Sequence, residues 1–304
     1  MSSDTTHLNG VSGQVSSAAR ERFMGIALIC TAFLCFAGLD TTAKYLVQDL
    51  PSVQVVWFRF ASHVVLAFIL FRVWQKPEYF RSKRWGLQII RAFCLLGSTF
   101  FNFIAVRYLQ LAETVSIMFA APFVVTALAG PLLNEWAGPR RWAAIVVGFL
   151  GMLVVVRPGL GGMHWAAIFS VAAMICFSLY ALLTRKLSNT ESSVGMLIIS
   201  GLVAAIAMTP FAIDQWVAPP DLFSWALLIS TGVYGGLGHF VLIVAHRLAP
   251  APVLAPFQYS QIVWMIACGY IFFADVPGIW TAVGASIIVA SGLYILYRER
   301  GLSN

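Results

Sequence analysis

LAPFQYSQIVWMIACGYIFF, from Leu254 to Phe273, runs for twenty residues without one charged side chain. A helix of that length is about 30 Å long, the depth of a bilayer's hydrocarbon core. AAIVVGFLGMLVVV, from Ala143 to Val156, reads the same way. Neither stretch has the polar outer face that a helix on a soluble protein needs. Working outward, ten such stretches fill the chain, near 23–47, 53–74, 85–107, 112–133, 141–156, 165–184, 193–213, 223–246, 251–273 and 278–297. In hydrocarbon each backbone amide must bond within its own segment, which selects the helix. Composition agrees: 60% of the 304 residues are apolar and 10% are charged, against about a quarter charged in soluble domains. The fold class expected is an all-α integral membrane protein with ten transmembrane helices.

The net charge of +7 reports topology rather than a nucleic-acid partner. With a cytoplasmic N-terminus and ten crossings, the inner side holds Arg20, Arg22, Arg72, Lys76, Arg81, Lys83, Arg84, Arg140, Arg141, Arg185, Lys186, Arg247, Arg298 and Arg300. The outer side holds Lys44, Arg107 and Arg157. That excess places both termini in the cytoplasm of a cell inner membrane. Residues 1–21 are polar and Ser-rich, lack the basic start of a signal peptide, and read as a disordered tail. The five cysteines all fall inside apolar stretches, where they pack as small hydrophobes. No metal triad, nucleophile–base pair or cofactor motif is visible, so neither an enzyme nor a bound cofactor is expected.

Shifting the chain against itself by about 140 positions brings Cys35-Phe36 onto Cys176-Phe177, Lys44 onto Arg185, Ala105 onto Ala245, Glu135 onto Asp275 and Gly151 onto Gly292. The first repeat occupies residues 22–160, the second 161–298, and 299–304 form a short cytoplasmic tail. Five crossings per repeat is odd, so the halves enter the membrane from opposite faces. Inverted repeats are the mark of secondary carriers, whose two halves exchange shapes about a central site.

Trp57-Phe58-Arg59-Phe60-Ala61-Ser62, Arg91, Ala112-Glu113-Thr114, Ala121-Pro122-Phe123, Asn134-Glu135-Trp136 before Arg140-Arg141-Trp142, and Gly148-Phe149-Leu150-Gly151 before Arg157-Pro158-Gly159 together resemble the EamA type of the drug/metabolite transporter superfamily. The resemblance spans roughly residues 22–298. It implies two inverted five-helix repeats around a central cavity, with no ATPase module. Within that superfamily, Phe58-Arg59-Phe60, Arg91-Ala92-Phe93 and Ala255-Pro256-Phe257-Gln258-Tyr259 resemble carriers for riboflavin or S-adenosylmethionine uptake, and the same motifs recur in exporting members.

The candidate site residues are polar groups placed where hydrocarbon makes them costly. Asp40 and Lys44, four apart on the first helix, can pair on one face. Arg59 has no acid on its own helix; Glu113, at the outer start of the fourth, can satisfy it, so Asp40, Lys44 and Glu113 are read as gating or charge-pair residues. Arg91, on the third helix, is within reach of Glu135. Structural pairing and substrate contact both fit the two arginines. On the ninth crossing Gln258, Tyr259, Gln261 and Trp264 offer amides and aromatic rings near mid-membrane, which suits a planar heterocycle by stacking and edge hydrogen bonds; helix–helix contact fits them equally. Asn102 and Tyr180 are further candidates for the substrate site. The function expected is a secondary transporter for a small organic metabolite, embedded in the lipid bilayer as a monomer or homodimer. Riboflavin comes first, ahead of S-adenosylmethionine uptake and of amino-acid or drug export, with a membrane-embedded enzyme or channel as the remote alternatives.

Overall fold

In the computed structural model the described residues are 4–109, 111–118, 120–156 and 165–273, with 279–280, 282–284, 286–287, 290–291 and 294 beyond them. They form α1 (Asp4–Leu46), α2 (Ser52–Leu70), α3 (Trp85–Tyr108), α4 (Leu111–Met118), α5 (Ala121–Leu133), α6 (Pro139–Val156), α7 (Ala167–Ser188), α8 (Ser193–Asp214), α9 (Leu222–Leu248), α10 (Ala251–Leu254) and α11 (Ser260–Phe273). A 3₁₀ turn, Ala255–Tyr259, joins the last two. Among the described residues there is no strand, and α1, α2, α3, α7, α8 and α9 are each long and apolar enough to span a bilayer.

Two crossings are broken, and both breaks carry the same tripeptide. The fourth divides into α4 and α5 before Ala121-Pro122-Phe123, and the ninth passes through its 3₁₀ turn at Ala255-Pro256-Phe257. Proline has no N–H to continue the ladder and its ring crowds the preceding turn, so each helix restarts there. Other ends are capped by side chains. Asp221 accepts from the Ser224 amide at 2.7 Å at the start of α9, and those bonds lower its pKa below the ordinary carboxylate value. Ser192 accepts from the Gly195 amide at the start of α8.

Helix α1 begins at Asp4, and its apolar, membrane-length part is Arg20–Leu46.

Packing follows the repeat. The most extensive contacts are α1 with α9 and α3 with α7, which exchange when the first half is laid on the second; α2 with α9 and α8 with α3 exchange likewise, and α2 meets α8. One apolar core drawn from both halves, including Phe33, Phe36, Phe60, Phe103, Phe177 and Leu242, lies between them. Close approach depends on α9 glycines. A Cβ at Gly238 would stand 2.7 Å from the Phe36 ring, and one at Gly232 would collide with Ser62 Oγ. With five crossings in each half, the architecture is two inverted repeats around one centre.

Candidate functional site

A cavity lies between the repeats. Its wall is built from α1 (Phe33, Phe36, Leu39, Asp40), α2 (Arg59), α3 (Leu95, Ser98, Thr99, Asn102, Phe103), the end of α4 (Met118), α7 (Phe177), α9 (His239), and the broken ninth crossing (Gln258, Gln261). Both breaks therefore border it, which is where irregular backbone is tolerated at membrane depth. Asp40, Arg59, Asn102, Gln258 and Gln261, all legible as candidates in the sequence, come together here.

The polar groups are held by specific bonds. Asn102 Nδ2 donates to Asp40 Oδ1 at 3.1 Å, and Gln261 Nε2 donates to Asp40 Oδ2 at 3.3 Å. Two amides from opposite repeats thus orient one carboxylate. Arg59, 1% exposed, donates from Nη2 to His239 Nε2 at 2.7 Å and lies 4.2 Å from the Phe60 ring centre. His239 sits with its ring centre 4.7 Å from that of Phe36 and 5.2 Å from that of Tyr180. Phe33, Phe36 and Phe177 supply aromatic wall, with Phe33 edge-on to the other two. This surface can take a flat apolar ring and present charge to a polar end.

Several candidates stand elsewhere. Arg91 is fully buried, with every guanidinium nitrogen engaged: Nε with Gln88 at 3.4 Å, Nη1 with Thr184 at 3.1 Å, and Nη2 with Ser200 at 2.7 Å and with the Met196 carbonyl. Its guanidinium carbon is 5.2 Å from the centre of the Tyr180 ring. Arg91 and Tyr180 therefore pin α3, α7 and α8 together behind the cavity wall. Tyr259 turns away toward α6, with its hydroxyl 3.3 Å from the Ile145 carbonyl and its ring against Gly148. Trp264 packs against the central core and does not line the cavity. Asp40 pairs with the two amides, so the Asp40–Lys44 pair expected from their i, i+4 spacing is not formed. The side chain of Glu113 lies outside the described residues. Glu135 bonds Arg185 and not Arg91.

That last pair lies at one end of the bundle. Arg185 Nε donates to Glu135 Oε1 at 2.6 Å, Arg185 Nη1 to the His246 carbonyl at 2.6 Å, and the Ala251 amide to Glu135 Oε2 at 2.9 Å. Helices α7, α9 and α10 and the residue pair after α5 are thereby linked through Arg185 and Glu135. At the opposite end, Gln54 exchanges hydrogen bonds with the Val217 backbone at 2.7 and 3.0 Å. Sequence reasoning missed the aromatic wall of Phe33, Phe36 and Phe177, because apolar residues in apolar helices carry no local mark. His239, which stands across from Arg59, is 180 residues away from it in sequence.

Comparison with known proteins gives a consistent result. Residues 23–157 and again 164–297 match the model of the EamA-like transporter family. The chain is 30% identical over 289 residues to a protein named S-adenosylmethionine uptake transporter from Rickettsia bellii (strain RML369-C), covering 94% of this chain and 98% of that one. It is 26% identical over 290 residues to a riboflavin transporter of Vibrio cholerae, covering 93% and 96%. It is 23% identical over 280 residues to a pseudopaline exporter of Pseudomonas aeruginosa, covering 91% and 97%. A crystal structure superposes with a TM-score of 0.72 at 16% identity, over 95% of this chain and 99% of the other, and so shares the fold.

Proposed function

The chain belongs to the EamA-like transporter family, and from that premise we propose that it takes up S-adenosylmethionine across the cell inner membrane. It is a multi-pass membrane transporter of a small molecule, and not an enzyme. The observation that carries the substrate reading is Asp40, a carboxylate on the cavity wall beside an aromatic surface. S-adenosylmethionine has a sulfonium, which needs a negative partner at this depth, and an adenine ring, which needs flat apolar wall. The uptake transporters named for it are also more similar to this chain than the riboflavin transporters are. The orientation proposed has both termini in the cytoplasm, which puts Glu135 and Arg185 on the cytoplasmic side.

Riboflavin, first in the sequence reading, is the second reading here. The amides of Asn102, Gln258 and Gln261 suit the hydrogen-bonding edge of its ring system, but that ring is neutral and brings no cation to Asp40. Export is the rival direction, since the same scaffold runs either way along its gradients. The deciding experiment is uptake of labelled S-adenosylmethionine into cells expressing the chain, with unlabelled riboflavin as competitor. Saturable uptake that riboflavin leaves untouched supports the proposal. Uptake equal to that of control cells refutes it, and inhibition by riboflavin at comparable concentration moves the assignment to the second reading.

A further inference from the structure

We propose that Arg59 and His239 form a carboxylate subsite in the cavity, so that the transported molecule is held by an α-amino-acid head group and not by its ring alone. This rests on the uptake reading above and names the part of the substrate that these residues grip. Among the described residues two arginines are fully buried, and they differ in one respect. Arg91 has all three nitrogens bonded to protein partners and lies outside the cavity. Arg59 lines the cavity, is 1% exposed, and uses only Nη2; its Nε and Nη1 are buried without a hydrogen-bond partner.

Guanidinium is always a donor. His239 Nε2 must therefore accept the bond from Arg59, which leaves the ring proton of neutral His239 on Nδ1. That atom too is buried without a partner, and His239 is also on the cavity wall. Unused N–H donors are thus left on two adjoining cavity-wall side chains, and a guanidinium with free N–H groups is a natural partner for a carboxylate. The pair is held in position by Phe60 against the guanidinium and by Phe36 and Tyr180 against the imidazole. Gly235 leaves the space: a Cβ there would stand 3.2 Å from Arg59 Nε.

The second charge completes the argument. Asp40 lines the same cavity, yet its carboxylate is bonded by Asn102 and Gln261, and no ion pair joins it to Arg59 among the described residues. Opposite charges that share a cavity without pairing suit a ligand that carries both. A carboxylate placed on Arg59 and His239, with the cationic centres toward Asp40, meets both requirements. A neutral ring meets neither.

The test compares S-adenosylmethionine with its decarboxylated analogue, which keeps the sulfonium, the amine and the adenine. Binding to the purified protein is measured for wild type, Arg59→Lys and Arg59→Gln, with the unliganded melting temperature as the check on folding. Wild type is expected to prefer the carboxylate ligand at least tenfold. Folded Arg59→Gln should lose that preference while keeping its affinity for the analogue. Arg59→Lys, which keeps the charge without the fork, should fall between the two and carries the test if the glutamine variant does not fold. Equal affinities in wild type, or a tenfold preference that survives in the Arg59 variants, would overturn the subsite while leaving the uptake reading in place. Wild type that binds neither ligand overturns the substrate reading, and the subsite with it.

Discussion

Replacing Glu135 by Gln tests whether the polar cluster at the Arg185 end is a gate. The glutamate accepts from Arg185 Nε at 2.6 Å with one oxygen and from the Ala251 amide at 2.9 Å with the other. A glutamine has one acceptor, so whichever bond it keeps, its NH₂ faces a donor at the other. The loss is one charge-assisted bond, roughly 1.5–3 kcal/mol in a buried setting. The two side chains are 15% and 18% exposed, so solvent screening trims this to about 2 kcal/mol. If the cluster forms only when this end is closed, that amount shifts the closed-to-open ratio about thirtyfold. A cavity open to the cytoplasm 1% of the time would then be open roughly a quarter of the time. The assay is labelling of a reporter, Ser98→Cys on the cavity wall, in a background with the five native cysteines replaced. An impermeant thiol reagent is applied to inside-out and right-side-out vesicles. Labelling from the cytoplasmic side should rise by at least tenfold in Glu135→Gln and fall on the opposite side. A lower melting temperature with unchanged labelling from both sides would refute the gate and leave the cluster as a stabilising contact only.

Three further outcomes are expected. Arg91→Met removes four contacts worth roughly 0.6–1.7 kcal/mol each within a bilayer, so melting should drop by an amount equivalent to about 2–7 kcal/mol while the substrate KM of the surviving protein stays unchanged; a raised KM at normal stability would return Arg91 to the substrate site. Trp264→Ala, taken from the central core and not from the cavity wall, should cost about 3 kcal/mol of stability and leave ligand affinity within twofold; a tenfold affinity loss in well-folded protein would contradict the packing assignment. In the proposed orientation, which follows the Lys and Arg excess, cysteines introduced at Ser3 and Ser303 should resist impermeant reagents in intact cells and react after permeabilisation; outside labelling at either position reverses it.

Fold and site were legible to different degrees, and the reason is range. Segment length, the absence of charge from stretches such as Leu254–Phe273, and the internal match of Lys44 with Arg185 and Glu135 with Asp275 are properties read along the chain. They decide a helical membrane protein built from two repeats before any contact is known, because uncharged stretches of about twenty residues match a spanning helix whose backbone bonds are all internal. Asp40, Arg59, Asn102, Gln258 and Gln261 were also visible, since a polar group in an apolar helix is conspicuous by its cost. What the chain could not show is which costly residue is satisfied by neighbours and which faces the cavity. Arg59 and Arg91 look alike in sequence; only the packing of α3 against α7 and α8 brings Thr184, Met196 and Ser200 to Arg91, while α9 offers Arg59 a single histidine. Asp40 likewise stands four residues from Lys44, a spacing that permits a pair, yet Asn102 and Gln261 reach it from 62 and 221 positions away. The sequence alone determines where polar groups are placed in the membrane; tertiary structure decides their partners, because hydrogen bonds act over about 3 Å between helices that are remote along the chain.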